Sequence, residues 1–129
     1  VKALNALKID AAATVTTNLT LRGAHDKAGA GMQLSVAAGN ITRIDNGRVL
    51  GNGIPYIIHK LPNEKRVGIF GVAGEDWISI MGEEYEGQYE CEDPEEYSQR
   101  MAVKLKNEEK CDFIIALTHM RNGDDLDLA

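Results

Sequence analysis

Cys111 to Ala129 reads CDFIIALTHMRNGDDLDLA, and the sense of the whole chain turns on this stretch. Behind Asp112, Phe113-Ile114-Ile115-Ala116-Leu117 is a short, nearly continuous apolar run rich in β-branched and aromatic residues. Such a run suits a central strand buried on both faces rather than a half-exposed one. It stops at Thr118-His119 and turns polar through Met120-Arg121-Asn122-Gly123. Asp124 or Asp125 then stands where an N-cap would open a helix at Leu126-Asp127-Leu128. Open α/β sheets bind ligands at the carboxyl ends of their strands, next to such helix starts. His119 is therefore the leading candidate site residue. The plainer alternative is a packed or half-exposed imidazole without chemistry, the commoner fate of a histidine at a strand end.

Working back from Cys111, Asp93-Pro94-Glu95-Glu96 is a helix start, with Asp93 as N-cap and Pro94 at the first helical position. Tyr97, Met101, Ala102, Val103 and Leu105 supply its buried stripe, and Glu108-Glu109-Lys110 close it with solvated charge. That helix feeding the apolar strand makes an α/β step, right-handed by the usual rule. Further back, Pro55 to Leu61 and Arg66 to Val72 read as two strands joined at Pro62-Asn63-Glu64, an antiparallel hairpin. His59 on the first of them alternates outward or packs in the sheet. Between hairpin and helix, Glu75 and Asp76 could be read as paired carboxylates for acid/base work. The better reading is that they initiate a short helix from which Trp77 and Ile80 pack down. Glu83 to Glu96 concentrates acid without ligand spacing and reads as a solvated surface loop. Ile41-Thr42-Arg43-Ile44 is a short strand, and Asn46-Gly47 and Asn52-Gly53 are turn signals.

The amino-terminal third is less regular. Ala3, Leu4, Ala6 and Leu7 suit a short amphipathic helix, and Ala11 to Val15 a small-residue strand. From Thr16 to Gly39 no period of 2 or 3.6 persists, and so long an irregular stretch is unusual inside a compact domain. Gly23-Ala24-His25-Asp26 and Gly29-Ala30-Gly31 look like site motifs but lack the strand and helix such loops need on either side. Reading the codons of Arg22 to Ala38 from their second base permits Val-Glu-His-Thr-Thr-Lys-Leu-Ala-Gln-Glu-Cys-Asn-Phe-Pro-Trp-Leu-Leu. The expectation is that residues 16–39 are a frame-shifted translation or are disordered.

Composition narrows the class. The chain has 129 residues, enough for one domain at most, and 43% are hydrophobic, ordinary for a globular protein. Its 14 Lys and Arg are outnumbered by 20 Asp and Glu, for a net charge of -6, which argues against a nucleic-acid polymer as partner. Cys91 and Cys111 form no zinc spacing and fit a reducing compartment, a weak pointer to the cytoplasm. No run approaches membrane-spanning length. Val1 lies already inside a helical pattern and Ala129 stops soon after a helix start. The expectation is a fragment: an incomplete domain over residues 1–129.

The Asp112 to Arg121 stretch resembles the fourth metal-binding motif of calcineurin-like metallophosphoesterases, in their 5′-nucleotidase branch. Gly71 to Met81, GVAGEDWISIM, is similar to the segment that follows the hairpin in that family, and Val1 to Val15 to the segment before its Gly-Asn-His motif. That motif is absent here, since Thr16-Thr17-Asn18-Leu19 stands in its place. The shifted string over Arg22 to Ala38 resembles a further family segment, which Asn40-Ile41 continue in the normal frame.

The resemblance implies an α/β fold, a partial metallophosphoesterase sandwich of mixed β-sheets flanked by helices. It implies hydrolysis of a small phosphate ester or nucleotide at two divalent metal ions (zinc, manganese, iron or similar), about 3.5–4 Å apart, that activate a hydroxide for in-line attack. His119 would be one metal ligand, with Arg121 and Asn122 lining the phosphate loop. The remaining ligand motifs are absent, so the isolated chain is expected to hold no metal and to be inactive. The rival reading is a non-catalytic binding or regulatory module on a degenerate phosphoesterase scaffold.

Overall fold

The computed structural model describes residues 21–22, 33–34 and 37–129 apart from Glu84 and Glu86. The expected helix at Ala3–Leu7, the strand at Ala11–Val15 and both look-alike motifs of residues 23–31 lie outside the described residues. Within 16–36 the backbone is described for β1 (Leu21–Arg22) and β2 (Gln33–Leu34), an antiparallel pair of minimal length.

From Ala37 onward the chain is regular. β3 (Ile41–Arg43) is followed by a tight turn in which Gly47 takes a positive φ and returns its N–H to Arg43. A 3-10 turn at Leu50–Asn52 leads to β4 (Tyr56–Lys60) and β5 (Arg66–Ala73), paired antiparallel with Tyr56 opposite Phe70 and Lys60 opposite Arg66. The expected hairpin is therefore present, and its turn closes through Leu61 N–H to Lys65 O at 2.8 Å. After α1 (Trp77–Met81), β6 (Tyr89–Cys91) pairs antiparallel with β3. That strand corrects the reading of Glu83–Glu96 as loop throughout. Tyr89 and Cys91 are half-buried on either side of an exposed Glu90, an alternation too short to register beneath the run of acid.

α2 (Pro94–Asn107) begins as expected: the Asp93 carboxylate accepts the Glu96 N–H at 2.9 Å, and Pro94 occupies the first turn. Its buried stripe is Tyr97, Met101 and Leu105 with Ser98, whereas Val103 is exposed. Tyr97, Met101 and Leu105 recur every four residues on one face, and Val103 lies two positions from Met101, on another. The helix returns the chain to β7 (Phe113–His119), which pairs parallel to β5 with Val67 opposite Phe113 and Ala73 opposite His119.

The three-stranded sheet thus has the order β4-β5-β7. Phe70 and Val72 on one face pack with Tyr97, Met101 and Leu105 of α2, joined by Ile114 and Ala116. Ile57, Val67 and Ile69 cluster on the other face with Leu117. β7 is an edge strand among the described residues, not the fully buried central strand its composition suggests. Phe113 and Ile115 are 56% and 45% exposed because they stand on the face away from α2. A continuous apolar run distinguishes buried from exposed faces poorly, since both sides of the strand carry the same chemistry. α3 (Asn122–Leu128) starts earlier than expected, with Arg121 at the N-cap and Asp124 and Asp125 in the first turn. Carboxylates are favourable there against the amide ends, so the aspartates that look like caps belong inside the helix.

Candidate functional site at the carboxyl ends of β5 and β7

Parallel pairing of β5 with β7 brings the ends of two apolar strands side by side, with Ala73 opposite His119. Beyond them the chain leaves through Gly74-Glu75-Asp76 on one side and Met120-Arg121 on the other. The His119 carbonyl accepts two hydrogen bonds from the first of these loops, from Gly74 N–H at 3.1 Å and from the Trp77 indole N–H at 2.8 Å. The two side chains also meet, with ring centroids 4.1 Å apart and planes inclined at 59°. His119 is exposed and Trp77 half-buried.

A cavity of about 460 Å³ opens between the two strand ends and the start of α2. Gly74, Glu75 and Asp76 line it from β5, Asp93 and Glu95 from α2, and Met120, Arg121, Asp124 and Asp127 from β7 and α3. Its lining is acidic, with Arg121 as its one basic residue among the described residues. That guanidinium donates from Nε and Nη2 to a single Asp76 oxygen, at 3.0 and 2.7 Å. Arg121 therefore lines the cavity but is engaged by a carboxylate, and a phosphate entering would have to displace Asp76 against surrounding negative charge. Asn122 is the exposed first residue of α3, outside the cavity lining. Asp76 sits at the N-cap position of α1, as the helix-start reading of Glu75-Asp76 requires. Ile80, expected to pack down beside Trp77, is instead 61% exposed. His59 is half-buried opposite Val67 on the sheet, away from these strand ends.

Two residues that hold the site carry no local sequence signal. Asn40, 1% exposed, donates from Nδ2 to the Ala73 carbonyl at 2.8 Å and to the Glu92 carbonyl at 3.2 Å, while its Oδ1 accepts the Ala73 N–H at 3.0 Å. It ties the end of β5 to the approach to α2, so the β5 and α2 sides of the cavity are held by one amide. Cys91 lies beside it, its sulfur accepting from Asn40 Nδ2 at 3.3 Å. Burial, then the Glu75, Asp93 and Glu92 carboxylates, push the Cys91 thiol up to about 11.

A raised thiol pKa has two consequences. The thiolate fraction at pH 8 should be about two hundredfold below that of a free thiol near 8.5. Disulfide-reagent labelling of a Cys111→Ser chain should accordingly be slow at pH 8 and accelerate toward pH 11; labelling as fast as glutathione at pH 8 would contradict this. By linkage, the contribution to stability is fully present below the unfolded pKa and is lost as pH rises through about 11.

Among the described residues no group of three or more His, Cys, Asp and Glu side chains is arranged to hold a metal ion. His119 alone does not make a dinuclear centre, so the described residues by themselves do not fit one.

The fold and sequence have known counterparts. The chain is 37% identical over 62 residues to a 5′-nucleotidase of Vibrio cholerae serotype O1, and 32% identical over 60 residues to one of Vibrio vulnificus. Each match takes in 46% of this chain, and the chain spans 11% of the length of these curated relatives. Among solved structures it superposes on the NAD nucleotidase of Haemophilus influenzae with a TM-score of 0.58 at 18% identity, over 74% of this chain and 18% of that one. The calcineurin-like phosphoesterase YfkN of Bacillus subtilis gives 0.53 at 23% identity, over 66% and 27%. No family profile matches the chain.

Proposed function

We propose, for a chain that carries part of the calcineurin-like phosphoesterase fold of the 5′-nucleotidase type, that it contributes one wall of a phosphate-ester hydrolase site and is inactive by itself. The observation that carries this reading is the delivery of His119, by a parallel β5–β7 pair, to the strand ends, next in the chain to Met120 and Arg121 of the cavity lining although His119 is itself outside that lining. In that role His119 would offer an imidazole to a divalent metal ion, together with ligands that the described residues do not supply. Metal ions supply such sites with a polarised phosphoryl oxygen and an activated hydroxide. Arg121, which lines the cavity, and Asn122, which follows it outside the lining, would in this reading turn toward the phosphate of a small ester or nucleotide. The Asp76–Arg121 pair supports inactivity in isolation, because it leaves the one cavity-lining cation among the described residues neutralised.

The test is to assay the chain against AMP and p-nitrophenyl phosphate with added Mn²⁺ or Zn²⁺, and to follow its histidine NMR signals during a Mn²⁺ titration. The expected result is no turnover above background and no tightly held metal, with the broadening that excess Mn²⁺ produces strongest at His119. Turnover abolished by His119→Ala would show that the isolated chain is itself the enzyme and would overturn the inactivity. Broadening spread evenly over all histidines would remove His119 from the site.

A further inference from the structure

We infer that Trp77 is the positioning residue for His119, holding the imidazole in one attitude at the carboxyl end of β7. The inference rests on the reading of His119 as a site residue, and it adds a requirement that reading lacks. Among the described residues His119 stands exposed at the end of an edge strand, where little of its own packing selects a rotamer. Site imidazoles need one, and they obtain it from neighbours that fix ring and backbone together.

Trp77 supplies both restraints from another part of the chain. Its indole Nε1 donates to the His119 carbonyl at 2.8 Å, which fixes the backbone from which the imidazole projects. Its ring lies 4.1 Å from the imidazole, centroid to centroid, which closes one side of the space the side chain could sweep. Gly74 N–H reaches the same carbonyl at 3.1 Å, so both donors come from the segment that leaves β5. That segment is in turn fixed by Asn40 through Ala73. A purely structural tryptophan would be expected to turn its ring toward the core. This one is half-buried and is not a member of either hydrophobic cluster.

The chain suits a direct test, because it has one tryptophan and three histidines. His119 ring signals are identified by their loss in His119→Gln. In the native chain they are expected upfield of free histidine, shifted by the indole ring current, with cross-relaxation to the Trp77 indole protons. Trp77→Leu should return them to free-histidine positions and average the His119 χ1 couplings, while β4, β5 and α2 amide signals stay in place. Trp77→Phe keeps a ring but not the donor, and should retain part of the shift. It also serves as the comparison if Trp77→Leu loses the sheet signals. Absence of the cross-relaxation in the native chain, or unaveraged couplings in either folded variant equal to native, overturns the inference. A Mn²⁺ titration separates it from the function reading. Native ring pairing without Mn²⁺ broadening at His119 defeats the metal role alone. Broadening at equal Mn²⁺ concentration in native and Trp77→Leu chains defeats positioning alone; several-fold more Mn²⁺ needed by the variant supports it.

Discussion

Asn40→Ala should lower the unfolding free energy by about 3 kcal/mol, a value set by what it leaves behind rather than by what it removes. The Asn40 amide satisfies the Ala73 N–H and carbonyl and one Glu92 carbonyl, and both Asn40 and Ala73 are buried. Alanine has no polar atoms, so the two Ala73 groups lose their partner. A buried group left unpaired costs about 1–3 kcal/mol, and two such groups fix the scale. Asn40→Asp should fare no better. One carboxylate oxygen could still accept from Ala73 N–H, but the other would face the Ala73 and Glu92 carbonyls where the amide had donated. Urea unfolding of the three chains measures this, with comparable slopes required for the comparison. A loss under about 0.5 kcal/mol for both variants would place Asn40 among ordinary surface substitutions and end its role as clamp. The same variants bear on the site. Freeing Ala73 loosens the Gly74 N–H and Trp77 contacts to His119, so the ring-current shift at His119 should shrink in proportion to the amide's loss.

What the sequence made legible was local chemistry. The Asp93-Pro94 start of α2 depends on a carboxylate three residues from an amide and on proline's missing N–H, both visible in four letters. The β4–β5 hairpin followed from two β-rich runs around Pro62-Asn63, and the position of His119 at a strand end from the apolar run before it. What stayed hidden was pairing at long range. β7 looked central because Phe113 to Leu117 is apolar on both faces, yet which face is covered depends on where β4, β5 and α2 sit. β6 stayed hidden because its partner, β3, lies far back in the chain. Trp77 could be read as a packing residue, but its target, a carbonyl and a ring at the end of another strand, has no sequence mark. The same holds for the acidic cavity. Glu75 comes from the loop after β5, Asp93 from the start of α2 and Asp124 from α3, and they converge only once β5 and β7 pair and α2 crosses them.

Leu105→Ala should cost about 3–5 kcal/mol, and a second substitution can show why. Leu105 is 0% exposed and lies in the cluster that joins α2 to the sheet. Directly beneath it β5 carries Gly68, where an added Cβ would stand 3.0 Å from both Leu105 methyls and 3.0 Å from Cys111 Sγ. Glycine inside a strand weakens it, so its presence here is explained by the room it gives Leu105. Gly68→Ala alone should overpack this contact and cost about 1–3 kcal/mol. The double variant should be less destabilised than the sum of the two, because each change relieves the defect of the other: the new methyl fills part of the cavity, and the lost isobutyl removes the clash. A favourable coupling of about 1 kcal/mol or more from the double-mutant cycle is the expected result. Strict additivity would mean that β5 and α2 adjust independently. In that case the helix whose N-terminus walls the cavity is held by its Asp93 end rather than by its core.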